Sequence, residues 1–134
     1  MAATSAAGVF DPVVTTGGKV QPAVNTSHNL VKLEGPGLFL GAMVVKNGGD
    51  SGLTFVTLHI DNRSVVDISY AAAQTAGLAQ QNPFGVVLLQ NGITRTLTCG
   101  FPTPLIYRKE LVLTVNVREA NVLQINASVV HGST

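Results

Sequence analysis

Leu111-Val112-Leu113-Thr114-Val115-Asn116-Val117 is followed, after Arg118-Glu119-Ala120-Asn121, by Val122-Leu123-Gln124-Ile125-Asn126-Ala127-Ser128-Val129-Val130. Successive side chains of a strand face opposite ways. Leu111, Leu113, Val115 and Val117 therefore share one face of the first segment. Leu123, Ile125, Ala127 and Val129 share one face of the second. Thr114, Asn116, Gln124, Asn126 and Ser128 take the opposite faces. Asn121 tolerates the positive φ that a tight turn asks for. A hairpin with one apolar side is not stable alone in water and needs a second layer. This stretch predicts a β-sandwich.

Working outward, the same short-strand pattern recurs. His28–Leu33 and Leu38–Val45 flank Glu34-Gly35-Pro36-Gly37, a turn in which glycine supplies positive φ and proline fixes its own. Leu53–Ile60 and Arg63–Ser69 flank Asp61-Asn62, a two-residue hairpin signal, and Asn91-Gly92 is a second one between Phe84–Gln90 and Ile93–Cys99. Gly100-Phe101-Pro102-Thr103-Pro104 interrupts the pattern and predicts an extended crossing or edge segment, because proline lacks a donor. Tyr70–Gly77 is the one helical stretch, with Ser69 as N-cap and Gly77 as stop. About eight antiparallel strands at this spacing suit an all-β, jelly-roll-like antiparallel sandwich with one short helix. An immunoglobulin-like sandwich is the runner-up, but its core Trp and paired Cys are missing.

The chain is 134 residues long, enough for one domain with a real core. Hydrophobic residues make up 46% and charged residues only 11%, against ~25% in ordinary soluble domains. That deficit points to surface covered by other copies or another protein; a Thr-, Asn- and Ser-rich solvated surface is the other reading. Net charge is +1 with no basic run and no Trp, which argues against a nucleic-acid partner. No apolar run is long enough to span a membrane. The start shows neither the charged nor the apolar region of a secretory signal, so Asn25-Thr26-Ser27, Asn62-Arg63-Ser64 and Asn126-Ala127-Ser128 read as chance glycosylation patterns. Cys99 is the sole cysteine, without a disulfide partner, and reads as a small buried residue.

Residues 1–26 differ from the rest. Ala, Thr, Gly and Pro dominate, interrupted by Val9-Phe10 and Val13-Val14. This composition predicts an extended N-terminal arm ordered against a neighbour or its own sandwich, followed by a sandwich domain over 27–134. Val9, Phe10, Val13 and Val14 are the candidate partner-binding residues.

Nothing in the sequence forms a catalytic or metal motif. His28, His59 and His131 are far apart and lack metal-ligand spacing. Asp61 and Asp67 could pair for calcium or acid–base work, but read more simply as a turn residue and a solvent-facing strand residue. Ser64 with His59 and Asp61 lacks a nucleophile elbow. The glycine-rich Lys46-Asn47-Gly48-Gly49-Asp50-Ser51-Gly52 lacks the ending of a phosphate-binding loop. No enzyme activity and no cofactor are expected.

In several features the chain resembles the jelly-roll decoration, or cement, proteins of tailed-phage capsids. These are the low-charge start, the turn Glu34-Gly35-Pro36-Gly37, Leu58-His59-Ile60-Asp61-Asn62 with its return Ser64-Val65-Val66-Asp67, and the closing hairpin ending at Val130-His131-Gly132. Asp61-Asn62 stands where Asp-Gly is commoner in such hairpins. The resemblance implies a homo-oligomer, trimer or dimer, made in the host cytoplasm and seated on the outer capsid surface of the virion. There it would stabilise contacts between major capsid protein subunits. The alternative is a carbohydrate- or receptor-binding β-sandwich module of a phage tail or fibre, for which few aromatic rings are available.

Overall fold

The computed structural model describes residues 10–78, 86–91 and 93–133. Among these, the chain forms β1 (Phe10–Val20), β2 (Thr26–Glu34), β3 (Gly37–Gly48), β4 (Thr54–Ile60), β5 (Arg63–Ser69), α1 (Tyr70–Thr75), β6 (Val86–Asn91), β7 (Thr94–Tyr107), β8 (Glu110–Val117) and β9 (Val122–Ser133). A five-stranded sheet runs β1-β9-β3-β7-β6 and a four-stranded sheet β2-β8-β4-β5. All pairings are antiparallel. The chain changes sheet at every step from β1 to β4, makes the β4–β5 hairpin, and returns through α1 to the β6–β7 hairpin. This is a jelly-roll-like β-sandwich with β6 added at one edge.

The alternation read from the sequence is what builds the core. Leu111, Leu113, Val115 and Val117 of β8 point inward and are fully buried. Leu58, Val56 and Ile60 of β4 join them, and Phe39, Val44, Ile125, Ala127 and Val129 close the core from the other sheet. The start of β9 departs from the expected face: Val122 is buried and Leu123 exposed. A bulge in β9 explains it: Gln124 pairs with Asn47 and Val122 with the next residue, Gly48, so Leu123 is the extra residue and the alternation inverts for one step.

The turn chemistry is local and legible. Asp61 and Asn62 both take positive φ (50° and 67°), as the two-residue hairpin demands, and Asn121 does so at 64°. Ser69 caps α1 by accepting from the Ala72 amide at 3.0 Å. Gly100-Phe101-Pro102-Thr103-Pro104 does not end β7. Phe39 pairs with Leu105 and Gly41 with Gly100, so this segment bulges opposite Leu40, beyond the end of β6. Among the described residues, no strand pairs with Pro104 on the β6 side, so no ladder there requires a donor from it.

The segment expected as an arm contributes β1, which pairs with β9 from Phe10↔Ser133 to Val20↔Gln124. Residues 1–9 lie outside the described residues. Strand β1 also closes one side of the sandwich, because its backbone runs directly against β2. A Cβ built at Gly17 would overlap the Leu30 carbonyl, so this contact requires glycine.

Candidate interaction surface

The cross-strand pairs assign the residues that face outward from each sheet. On the five-stranded sheet, one row reads Val14, Val130, Gly41, Gly100. The next reads Thr16, Ser128, Met43, Thr98, Val87, and the third Gly18, Asn126, Val45, Thr96, Leu89. A fourth holds Val20, Gln124, Asn47 and Thr94. None of these residues is ionisable. Val14, Leu89 and Met43 are 59%, 54% and 40% exposed, and Val20 and Val130 are exposed as well. A solvated protein surface carries charge at about a quarter to a third of its positions. This face carries none, and its polar members are Thr, Ser, Asn and Gln.

The opposite outer face differs. Lys32 lies 3.5 Å from Glu110 and 3.9 Å from Glu34. One row reads Asn29, Thr114, Thr57, Asp67, with Thr114 Oγ1 donating to Asn29 at 2.9 Å and Thr57 Oγ1 to Asp67 at 3.3 Å. The next places His59 between Val112 and Ser64. The molecule is therefore two-sided, with one charged face and one bare of ionisable groups, whose polar side chains bond among themselves, as Thr94 does to Asn47 at 2.6 Å.

A buried polar cluster fixes the end of the sandwich where the bare face terminates. Lys46 Nζ lies 2.8 Å from Glu119 Oε2, and the two side chains are 1% and 0% exposed. Thr54 Oγ1 donates to the same carboxylate at 2.7 Å, and the Ser51 and Gly52 amides donate at 3.2 and 3.1 Å. Lys46 Nζ also stands 4.8 Å from the Tyr70 ring centroid, and the Tyr70 hydroxyl donates to the Val44 carbonyl at 2.8 Å. Burial pulls the Lys46 pKa down against the opposing pull of Glu119. Burial also works to raise the Glu119 pKa, but the hydrogen bonds from Lys46, Thr54 and Gly52 outweigh it and hold the carboxyl below its usual range. Burial, with Glu119 adding, pushes the Tyr70 hydroxyl well up. The glycine-rich segment is the lid of this cluster: a Cβ at Gly49 would overlap the Glu119 carboxylate. Its glycines serve close approach to an internal ion pair.

The expected partner-binding residues do not share one surface. Val14 lies on the bare outer face beside Val130. Val13 pairs with His131 and lines a recess with Leu33, Glu34, Pro36 and Tyr107. Phe10 begins β1, and Val9 lies outside the described residues. The residues weighed for chemistry are engaged structurally. His131 shares a 2.7 Å hydrogen bond with Thr15 across β1 and β9, and burial lowers its pKa. His28 contacts Thr26 at 2.9 Å. Asp61 accepts from the amides of Arg108, Lys109 and Glu110 at 2.9, 2.7 and 3.2 Å, tying the β4–β5 turn to the β7–β8 turn. These bonds hold its carboxyl below the ordinary range. Ser64 and His59 are cross-strand partners, but the Asp61 carboxylate is turned to those amides and away from orienting the imidazole. Burial pushes the Cys99 thiol up to about 11. Among the described residues no three His, Cys, Asp or Glu side chains converge to hold a metal. A shallow recess of about 540 Å³ beside Asp61 is lined by Ile60, Val65, Leu105 and Ile106 with Arg63 and Arg108, and carries no aromatic ring.

No protein-family model matches the chain, and no curated protein matches it in sequence. In fold it is similar to a chain in the acidic stable capsid structure of Helicobacter pylori bacteriophage KHP30. The TM-score is 0.55 at 12% identity, over 93% of this chain and 90% of that one. It is also similar to a chain of the cyanophage Pam1 capsid asymmetric unit, with a TM-score of 0.56 at 10% identity, over 94% and 87%. At these identities the likeness is one of fold, and it spans nearly the whole of each chain.

Proposed function

We propose that this chain is a structural virion protein that decorates the outer surface of a phage head and stabilises contacts between major capsid protein subunits. The observation that carries this reading is the bare outer face of the five-stranded sheet. A face with exposed Val, Leu and Met and no ionisable group is poorly hydrated, and burial against protein removes that cost. The opposite charged face suits the side that stays in water. The fold likeness to chains from two phage capsid structures supports the same reading.

The physical role follows from where shells fail. Subunit junctions part first under internal pressure, and a bridging protein adds contact area that must be broken before they do. Apolar burial contributes roughly 25 cal/mol per Å², less the costs of association. Repetition over a shell makes modest contacts cumulative. In this reading the protein self-associates through that face, which includes Val14, and the start of the chain, with Val9, Phe10 and Val13, reaches the shell.

The test is to add purified protein to shells assembled from the major capsid protein alone. Saturable co-sedimentation and a raised temperature of shell disruption are expected. Shells that neither bind the protein nor change their disruption temperature would overturn the proposal.

A further inference from the structure

We infer that the bare face of the five-stranded sheet is self-complementary, and that two copies of the chain stack through it about a two-fold axis running along β3. The inference rests on the self-association contained in the reading above, and it names the surface, the symmetry and the partner.

Three observations carry it. The first is charge. A two-fold interface sets each residue against its own mate or a symmetry-related one, so like charges near the axis oppose each other. This face has no ionisable group in any of its four rows, whereas the other outer face carries Lys32, Glu34, Glu110 and Asp67.

The second is register. Strand β3 is central in the order β1-β9-β3-β7-β6, so an axis along it exchanges β9 with β7. Within each row, Val130 then stands over Gly100, Ser128 over Thr98 and Asn126 over Thr96. Met43 and Val45 meet their own mates on the axis. The recess at Gly100 is open, since a Cβ there would have its nearest neighbour at 3.7 Å, which leaves room for the Val130 methyls. Ser128 can donate to the Thr98 hydroxyl, which itself donates to the Val87 carbonyl at 3.3 Å, and Asn126 and Thr96 can pair in either direction. Sheet twist tilts stacked sheets by about 30°, so the match is closest along the axis.

The third is size. Five strands ~4.8 Å apart and about eight residues long at ~3.3 Å each give a face of about 600 Å² per copy. The pair buries about 1,200 Å², the lower bound of a standard specific interface. A two-fold pair also supplies what bridging requires, because it carries two copies of the β1 edge and so two attachments to a shell.

The test compares sedimentation equilibrium of the wild-type chain with Met43→Lys, which sets two ammonium groups on the axis, and with Val112→Lys on the charged face. Far-UV circular dichroism and urea midpoints check the fold of each. The wild type is expected to be a dimer, Met43→Lys to dissociate it by ~100-fold or more, and Val112→Lys to leave it intact. Val45→Cys is expected to give a disulfide-linked dimer on mild oxidation, with the buried Cys99 left unmodified. A monomeric wild type, or a dimer that Met43→Lys leaves intact and Val45→Cys does not cross-link, overturns the inference. A monomer that binds shells and loses that binding in Met43→Lys shows that the shell covers this face, which sinks the self-stacking and keeps the decoration reading. A dimer broken by Met43→Lys that ignores shells does the reverse.

Discussion

Replacing Glu119 by methionine removes the acceptor of Lys46 Nζ, Thr54 Oγ1 and the Ser51 and Gly52 amides in one step. Lys46 is then a buried ammonium with the Tyr70 ring on one side and the like charge of Arg95 nearby, and no acid to balance it. Its escape is to lose the proton. From the reference value of 10.5, neutralising a lysine at pH 7 costs about 5 kcal/mol, which caps the charge part of the loss. Lys46→Met is milder. Glu119 keeps three donors, and protonating a carboxyl from 4.5 at pH 7 costs about 3.5 kcal/mol at most. The double variant has no charge to bury and leaves only the neutral donors unpaired, at ~1 kcal/mol each.

The order of stability is therefore wild type, then Lys46→Met, then Glu119→Met, with the double variant more stable than Glu119→Met alone. Urea unfolding followed by far-UV circular dichroism measures it, since the chain has no Trp to report. There is also a pH signature. In Glu119→Met the folded-state pKa of Lys46 lies further below its unfolded value, so the unfolded state binds more protons between the two. Stability of that variant rises with pH towards 10.5, by up to ~1.4 kcal/mol per unit, while the double variant shows no such slope. Additive costs, or a double variant weaker than Glu119→Met, would refute the reasoning.

Leu113→Ala, at a fully buried position on central strand β8, is expected to lower unfolding stability by about 2–5 kcal/mol in the same assay. Gly17→Val is expected to lift β1 off β2, because its side chain would enter the Leu30 carbonyl, and limited proteolysis should then cut within β1. Asp61→Ala is expected to lower the thermal midpoint at neutral pH. Its depressed carboxyl pKa means that this contribution is present above about 3.8 and lost as pH falls through the folded value, so wild type and variant should converge in acid. Cys99 should resist a thiol reagent at pH 8 until urea unfolds the chain, since burial holds its pKa at about 11.

Much of the fold was legible because side-chain alternation is set by strand geometry alone. Leu111, Leu113, Val115 and Val117 could be assigned to the core without knowing what packs on them. Asp61-Asn62 could be read as a hairpin turn because few residues accept its backbone angles. The bulge at Leu123 was not legible: it depends on how β9 fits β3, and no residue in the segment signals it. The continuity of β7 through Pro104 was hidden for a related reason, since proline is excluded only where a neighbouring strand needs its donor. The ion pair left a signal that could have been read. Lys46 extends the inward set Ala42, Val44 by two residues, and Glu119 extends Val115, Val117 by two. Period-two extension put both charges inside, and two opposite charges at the ends of buried runs are natural partners. The bare face was the least legible of all. Each of its residues is ordinary in isolation, and only the strand order brings Val14, Val130, Met43 and Leu89 onto one surface.

The sparse charge then takes on a meaning that composition alone does not give. Eight basic and seven acidic side chains are available to the chain. Lys46 and Glu119 are enclosed, and Arg95 pairs in register with Lys46 on the inward side of β7. Lys32, Glu34, Glu110 and Asp67 lie on the outer face of the four-stranded sheet. Asp50, Asp61, Arg108, Lys109 and Arg118 lie in loops and turns at the ends of the sandwich. The remaining three lie on edge strands: Lys19 pairs with Ile125 on the inward side of β1, Asp11 sits in the register shift of β1 between Phe10 and Val13, and Arg63 opens β5 opposite Ile60. An even spread of so few charges would leave both faces thinly charged, and each would stay wet. Keeping them inside, on one outer face, along the edges and at the ends leaves a surface that water holds weakly and that a protein surface of matching shape can cover. The low charge content is thus a directional property, and a single lysine at Met43 is enough to test the direction it points.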